Sequence, residues 1–131
     1  MPENNFVEIR AFAGKHYIDS FTKKHKSHWD VTLKAIVGQL ERIEAFLLTD
    51  KAEIISDVGG VKLIKTKFKI AASMESAKTS GNRCIVAWYS DKRKVSILLV
   101  YSKTDLSGQN ETDKWKKIIR DNYPEYEGHC K

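Results

Sequence analysis

Two periods alternate along the chain. Phe6, Glu8, Arg10 and Phe12 alternate with Val7, Ile9, Ala11 and Ala13, the two-residue repeat of a short strand. Tyr17, Ile18 and Phe21, within Lys15 to Lys24, stand instead at helical spacing. From Trp29 the apolar positions Trp29, Leu33, Ile36, Val37, Leu40, Ile43, Phe46 and Leu47 step by threes and fours. This predicts an amphipathic helix ending near Thr49, with Ser27 or Asp30 capping its start. Gly38 inside it costs up to about 1 kcal/mol relative to Ala unless close packing demands a missing side chain.

The turn signal Asp57-Val58-Gly59-Gly60 introduces Val61 to Ile70, in which Ile64, Thr66, Phe68 and Ile70 alternate with Leu63, Lys65, Lys67 and Lys69. One face of that strand packs and the other is cationic. Residues 71 to 82 are small and polar, and a twelve-residue connection is long for a hairpin, which points to a working loop. Cys84 to Tyr89 and Val95 to Ser102 are β-rich runs joined by Ser90-Asp91-Lys92-Arg93-Lys94, an antiparallel hairpin with a charged tip. Asn110 to Asp113 offers a helix start, and Trp115, Ile118 and Ile119 form an apolar stripe before Pro124.

The order is therefore strand, helix, helix, three strands, helix, with no internal repeat or linker. The expected fold is α+β: one domain over 1–131, a small, antiparallel-rich twisted sheet of about four strands, two N-terminal helices and one C-terminal helix. Helices lie on one side of the sheet, its other face is open and basic, and a short polar tail runs from about residue 124.

Composition sharpens this picture in one respect. The formal charge is +6, yet between Gly60 and Lys103 ten Lys and Arg (62, 65, 67, 69, 78, 83, 92, 93, 94, 103) face only Glu75 and Asp91, a net +8 that leaves −2 for the rest. A cationic excess confined to one third of a chain suits a polyanionic partner. No window has the roughly 18 uncharged apolar residues of a membrane span, and Met1 to Asn5 is unlike a secretory leader, so a cytoplasmic protein without membrane contact is expected. Cys84 and Cys130 fit neither a disulfide framework nor a metal spacing and read as reduced thiols, and the four His (16, 25, 28, 129) stand in no ligand pattern, so no metal or other cofactor is expected. Phosphate-loop and nucleophile-elbow motifs are absent.

The residues left to carry chemistry are Lys65, Lys67 and Lys69 on one strand face, Arg83 entering the next strand, and Tyr101 with Lys103 at the end of the last; Lys62 and Lys78 add charge nearby. Paired in order, these strands would put Arg83 beside the outgoing end of the lysine strand, a cationic hollow for phosphate. Mutual repulsion among such cations favours a neutral lysine able to carry a proton. The plainer reading is a solvated face or an edge guarded against aggregation by its lysines. Lys92-Arg93-Lys94 and Lys23 to His28 read mainly as solvated connections, Trp29 and Trp115 as core, and Trp88 fits either role.

The segments Asp57-Val58-Gly59-Gly60, Lys78-Thr79-Ser80-Gly81-Asn82-Arg83 and Leu99-Val100-Tyr101-Ser102-Lys103 resemble the RelE/ParE superfamily of bacterial toxins, especially its HigB-like branch, and the element order is similar too. The resemblance implies a metal-free endonuclease acting on messenger RNA, often within the ribosome, and neutralised by a cognate antitoxin protein. It places Arg83 on the phosphate, Lys65 and Lys67 as base and charge-offsetting partner with Lys69 as substitute, and Lys103 on either the leaving 5′-oxygen or the scissile phosphate. Lys62, Lys69, Lys78 and Tyr101 would contact RNA. The ParE branch would instead imply inhibition of DNA gyrase, and a third possibility is a non-enzymatic RNA- or ribosome-binding module. The chain departs from this pattern in a long Gly60 to Ala71 segment, a long N-terminal helical region, and the lack of the C-terminal tyrosine that some ribosome-dependent members use.

Overall fold

The fold is that of a computed structural model, which describes residues 4–102, 105, 106 and 110–130, the side chains of His16 and Tyr17 apart. The first strand, β1 (Phe6–Ile9), leads into α1 (Ala11–Ala13), a π turn at Gly14–Ile18 and α2 (Asp19–His25). Lys26, at φ +49°, breaks the helical run before α3 (Ser27–Glu41). Neither Ser27 nor Asp30 caps that start, because no side chain bonds the first turn's free amides. The expected single helix to Thr49 is interrupted at Arg42 and resumes as α4 (Ile43–Phe46). Then follow β2 (Ala52–Val58), β3 (Val61–Phe68), the short α5 (Ala77–Ser80), β4 (Asn82–Tyr89), β5 (Lys94–Tyr101) and α6 (Glu111–Asn122).

The sheet has five strands in the order β1-β5-β4-β3-β2, not about four, and it is mixed. β2 through β5 pair antiparallel in sequence order, whereas β1 runs parallel to β5 with Phe6 opposite Lys94 and Ile9 opposite Ile97. The unforeseen strand is β2, which joins β3 through the two-residue turn Gly59-Gly60. Both glycines have positive φ, +62° and +80°, as the tight hairpin twist requires.

The expectation of helices on one side and an open basic face on the other does not hold. Phe21, Trp29, Ile36, Leu40 and Ile43 from the N-terminal helices pack on Ile64, Phe68, Val86 and Ile97. On the opposite face, Trp115 and Ile119 of α6 cover Leu63, Ile85, Ala87, Leu98 and Leu99. The predicted polar tail is folded there as well: Pro124–His129 forms a 3-10 helix that buries Tyr126, and Cys130 follows it into the core. His129 Nδ1 meets Ser56 Oγ and so ties this segment to β2. A slip in the β4–β5 register leaves Leu98 without a strand partner, and Tyr123 donates its hydroxyl to the Leu98 carbonyl at 2.6 Å. Burial pushes the Tyr123 phenol up to about 12, which keeps it a donor.

Two measurements probe this packing. A Cβ added at Gly38 meets nothing within 4 Å, so Gly38→Ala should stabilise the protein by about 0.5–1 kcal/mol, read as a rise in urea midpoint at constant m. Burial pushes the Cys84 thiol up to about 12 and raises that of Cys130. Neither thiol should therefore react with an alkylating reagent at pH 8 in the native state, and both should react once the chain is unfolded.

Candidate functional site

Alternation along β3 sends Leu63, Lys65 and Lys67 toward the α6 side and Ile64, Thr66 and Phe68 toward the N-terminal helices. Register then decides who joins the lysines. Lys67 is opposite Arg83, Arg83 is opposite Tyr101, and Lys65 lies one rung inward, opposite Ile85. Lys65, Lys67, Arg83 and Tyr101 thus share one end of one face, drawn from three adjacent strands.

Other predicted positions lie elsewhere. Lys62 is on the opposite face, with Nζ 5.2 Å from the centre of the Trp88 ring and 3.8 Å from Asp57. Trp88 itself donates Nε1–H to Asn5 Oδ1 at 3.1 Å, a structural role. Lys69 lies beyond the strand end, its ammonium 3.4 Å from the Ser73 carbonyl. Lys78 is an exposed residue of α5, 3.7 Å from Asp50. Lys103 lies outside the described residues.

The segment leading to Arg83 has a definite construction. Ser76 accepts the Thr79 amide at the start of α5, and Gly81 ends that turn at φ +77°. The buried Ser80 hydroxyl is 2.6 Å from the Phe68 carbonyl and accepts the Asn82 amide at 3.1 Å, which fastens the turn to the end of β3. The long connection of residues 71–82 is thereby a platform for the arginine. Arg83 Nη1 donates to the carbonyls of Ala77 and Asn82 at 3.3 and 2.9 Å, and Nη2 donates to that of Lys78 at 3.2 Å. A guanidinium has five N–H donors, so Nε and one Nη2 hydrogen have no partner among the described residues. That edge fits two oxygens of a phosphate.

Glu111, the first residue of α6, was not among the predicted site residues. Its Oε2 is 3.0 Å from Lys65 Nζ and accepts the Tyr101 hydroxyl at 3.2 Å. The Lys65 side chain is 17% exposed and that of Glu111 32%, so the pair is sheltered but reachable. Tyr101 is fully buried. Burial first, and then the charge and hydrogen bond of Glu111, raise its phenol far above the ordinary range, while the charge of Arg83 works in the opposite direction. Tyr101 is therefore a neutral donor that positions Glu111. Lys67 is half-buried as a residue, and its ammonium has no side-chain partner among the described residues.

No family model, curated protein or solved structure matches the chain. Among the described residues no three His, Cys, Asp or Glu side chains gather as a metal site, and no helix is long and apolar enough to cross a membrane. The face so assembled can bind a phosphate through Arg83 and Lys67, beside a fixed carboxylate and a neutral phenol.

Ser80→Ala should lower stability by about 1–3 kcal/mol, because the Asn82 amide loses its acceptor inside the fold. Hydrogen exchange should show the loss concentrated in residues 76–83, with β5 amides remaining protected to the level of global unfolding.

Proposed function

We propose that the protein is a toxin of RelE/ParE type, a metal-free endonuclease that cuts messenger RNA on translating ribosomes and is held in check by a cognate antitoxin. The observation that carries this reading is the rung Lys67–Arg83–Tyr101 across β3, β4 and β5, in which one ammonium and one guanidinium edge have no partner among the described residues. In such a reaction a ribose 2′-hydroxyl attacks its own phosphate. Arg83 and Lys67 are suited to offset the charge that grows on the phosphorane oxygens. The cationic stretch from Gly60 to Lys103 supplies the general attraction for the RNA backbone. Relative to the element order that the family resemblance implies, the chain adds β2 at the sheet edge, away from this rung.

A second reading, binding without turnover, has an observation of its own. Lys65 is neutralised by Glu111, and three of the Arg83 donors already serve backbone carbonyls. A surface of that kind holds phosphate without needing to move protons.

Purified protein added to translating ribosomes should produce discrete cuts in messenger RNA. Arg83→Ala should slow them at least about 100-fold. Because Arg83 also fastens the α5 turn, Lys67→Met serves as the companion variant: it removes an ammonium without a side-chain partner among the described residues and should slow cutting at least about 10-fold at unchanged stability. Cutting unaffected by either substitution removes this site. Salt-sensitive RNA binding with no product would favour the binding module.

A further inference from the structure

A metal-free scission of RNA needs a group to take the proton of the attacking 2′-hydroxyl, and the family resemblance gives that task to a lysine. We infer that Glu111 performs it. The inference rests on the endonuclease reading and deepens it by naming a catalytic residue that the resemblance does not supply.

A lysine becomes a base only after losing a proton, whereas a carboxylate already offers its lone pairs. Geometry then singles out one oxygen. Both contacts of Glu111 among the described residues, with Lys65 Nζ at 3.0 Å and Tyr101 Oη at 3.2 Å, fall on Oε2. Among the described residues Oε1 has no partner, and the side chain is one-third exposed. The carboxylate is thus held at one oxygen by two donors while the other is open to a ligand, the arrangement expected of a positioned base. Neither donor is itself loosely held, since Tyr101 is fully buried in β5 and Lys65 is inside β3.

The location is also right. Tyr101 is the cross-strand neighbour of Arg83, and the Arg83 charge is felt at the Tyr101 hydroxyl. Arg83 and the tyrosine that holds the carboxylate are thus paired across β4 and β5 on one face of the sheet. In the step so defined, Glu111 Oε1 takes the 2′-hydroxyl proton as the 2′-oxygen bonds to phosphorus. The bond from phosphorus to the 5′-oxygen breaks, and that oxygen receives a proton from the Lys67 ammonium. The products are a 2′,3′-cyclic phosphate and a 5′-hydroxyl, and exchange with water returns Glu111 and Lys67 to their starting forms. Lys65 and Tyr101 are positioning residues in this scheme.

The test uses the full chain with its ribosomal substrate for cleavage, and a strand carrying 2′-deoxyribose at the cut position for binding. Glu111→Gln keeps the shape of the side chain and should lower kcat at least about 100-fold while leaving the Kd for the uncleavable strand within about threefold. Glu111→Ala should regain rate on addition of formate, which restores a carboxylate to the vacated space. A Glu111→Gln protein that cuts within about threefold of the unsubstituted chain overturns the role of Glu111 and leaves the endonuclease reading standing. Loss of cutting in both variants without formate rescue assigns Glu111 to holding Lys65 in place and overturns the base role. If the unsubstituted protein itself does not cut, both readings fall together.

Discussion

The central strands are buried on both faces, and this constraint governs where polarity is allowed. From Cys84 to Ala87 and from Val95 to Tyr101 every side chain is buried, and all but Ser96, which donates to Glu8, enter one core or the other. Polar groups of the inner strands gather at the strand ends: Lys62 and Lys94 at one end, and Lys65, Lys67, Arg83 and Tyr101 toward the other, where the cover of α6 begins. Removing such groups from water is costly unless each finds a partner. Glu111 answers for Lys65 and Tyr101, and the carbonyls of the α5 turn answer for most of the guanidinium. The electrostatics that define the candidate site are thus the same interactions that make its burial tolerable.

Local patterns in the sequence were informative where one period dominated. The step of three and four from Trp29 is the buried stripe of α3, Trp29 and Trp115 are core residues, and the β4–β5 hairpin lies where β-rich runs flank a charged tip. β2 has no legible strand period because the adjacent Ile54 and Ile55 break the alternation, and the sheet absorbs the extra residue as a register shift between Ile54 and Ser56. The parallel partnership of β1 with β5 joins residues some ninety positions apart, and no local pattern encodes it. The double cover had a trace in the sequence: the unbroken apolar run Ile97-Leu98-Leu99-Val100 is what a strand buried on both faces looks like.

The grouping of residues in the candidate site was partly legible. Parity alone puts Lys65 and Lys67 together, and applied consistently it separates Lys62, which the charge argument had grouped with them. That Arg83 and Tyr101 stand in line with Lys67 required the register of three strands, which the order of elements suggests but does not fix. Glu111 was invisible because an acidic residue in the first turn of a helix reads as ordinary favourable placement near the helix dipole. Its contact with Lys65 spans 46 positions and exists only once α6 lies on the sheet.

The parallel pairing of β1 with β5 has a consequence for synthesis. β1 is made well before β5, its neighbour in the sheet, so β1 has no docking place until residues 94–97 have emerged. Throughout elongation that segment, with its exposed Phe6 and Ile9, travels as a loose edge. Closure of the sheet is therefore a late, long-range event, and the nascent chain is most vulnerable to wrong pairing just before it.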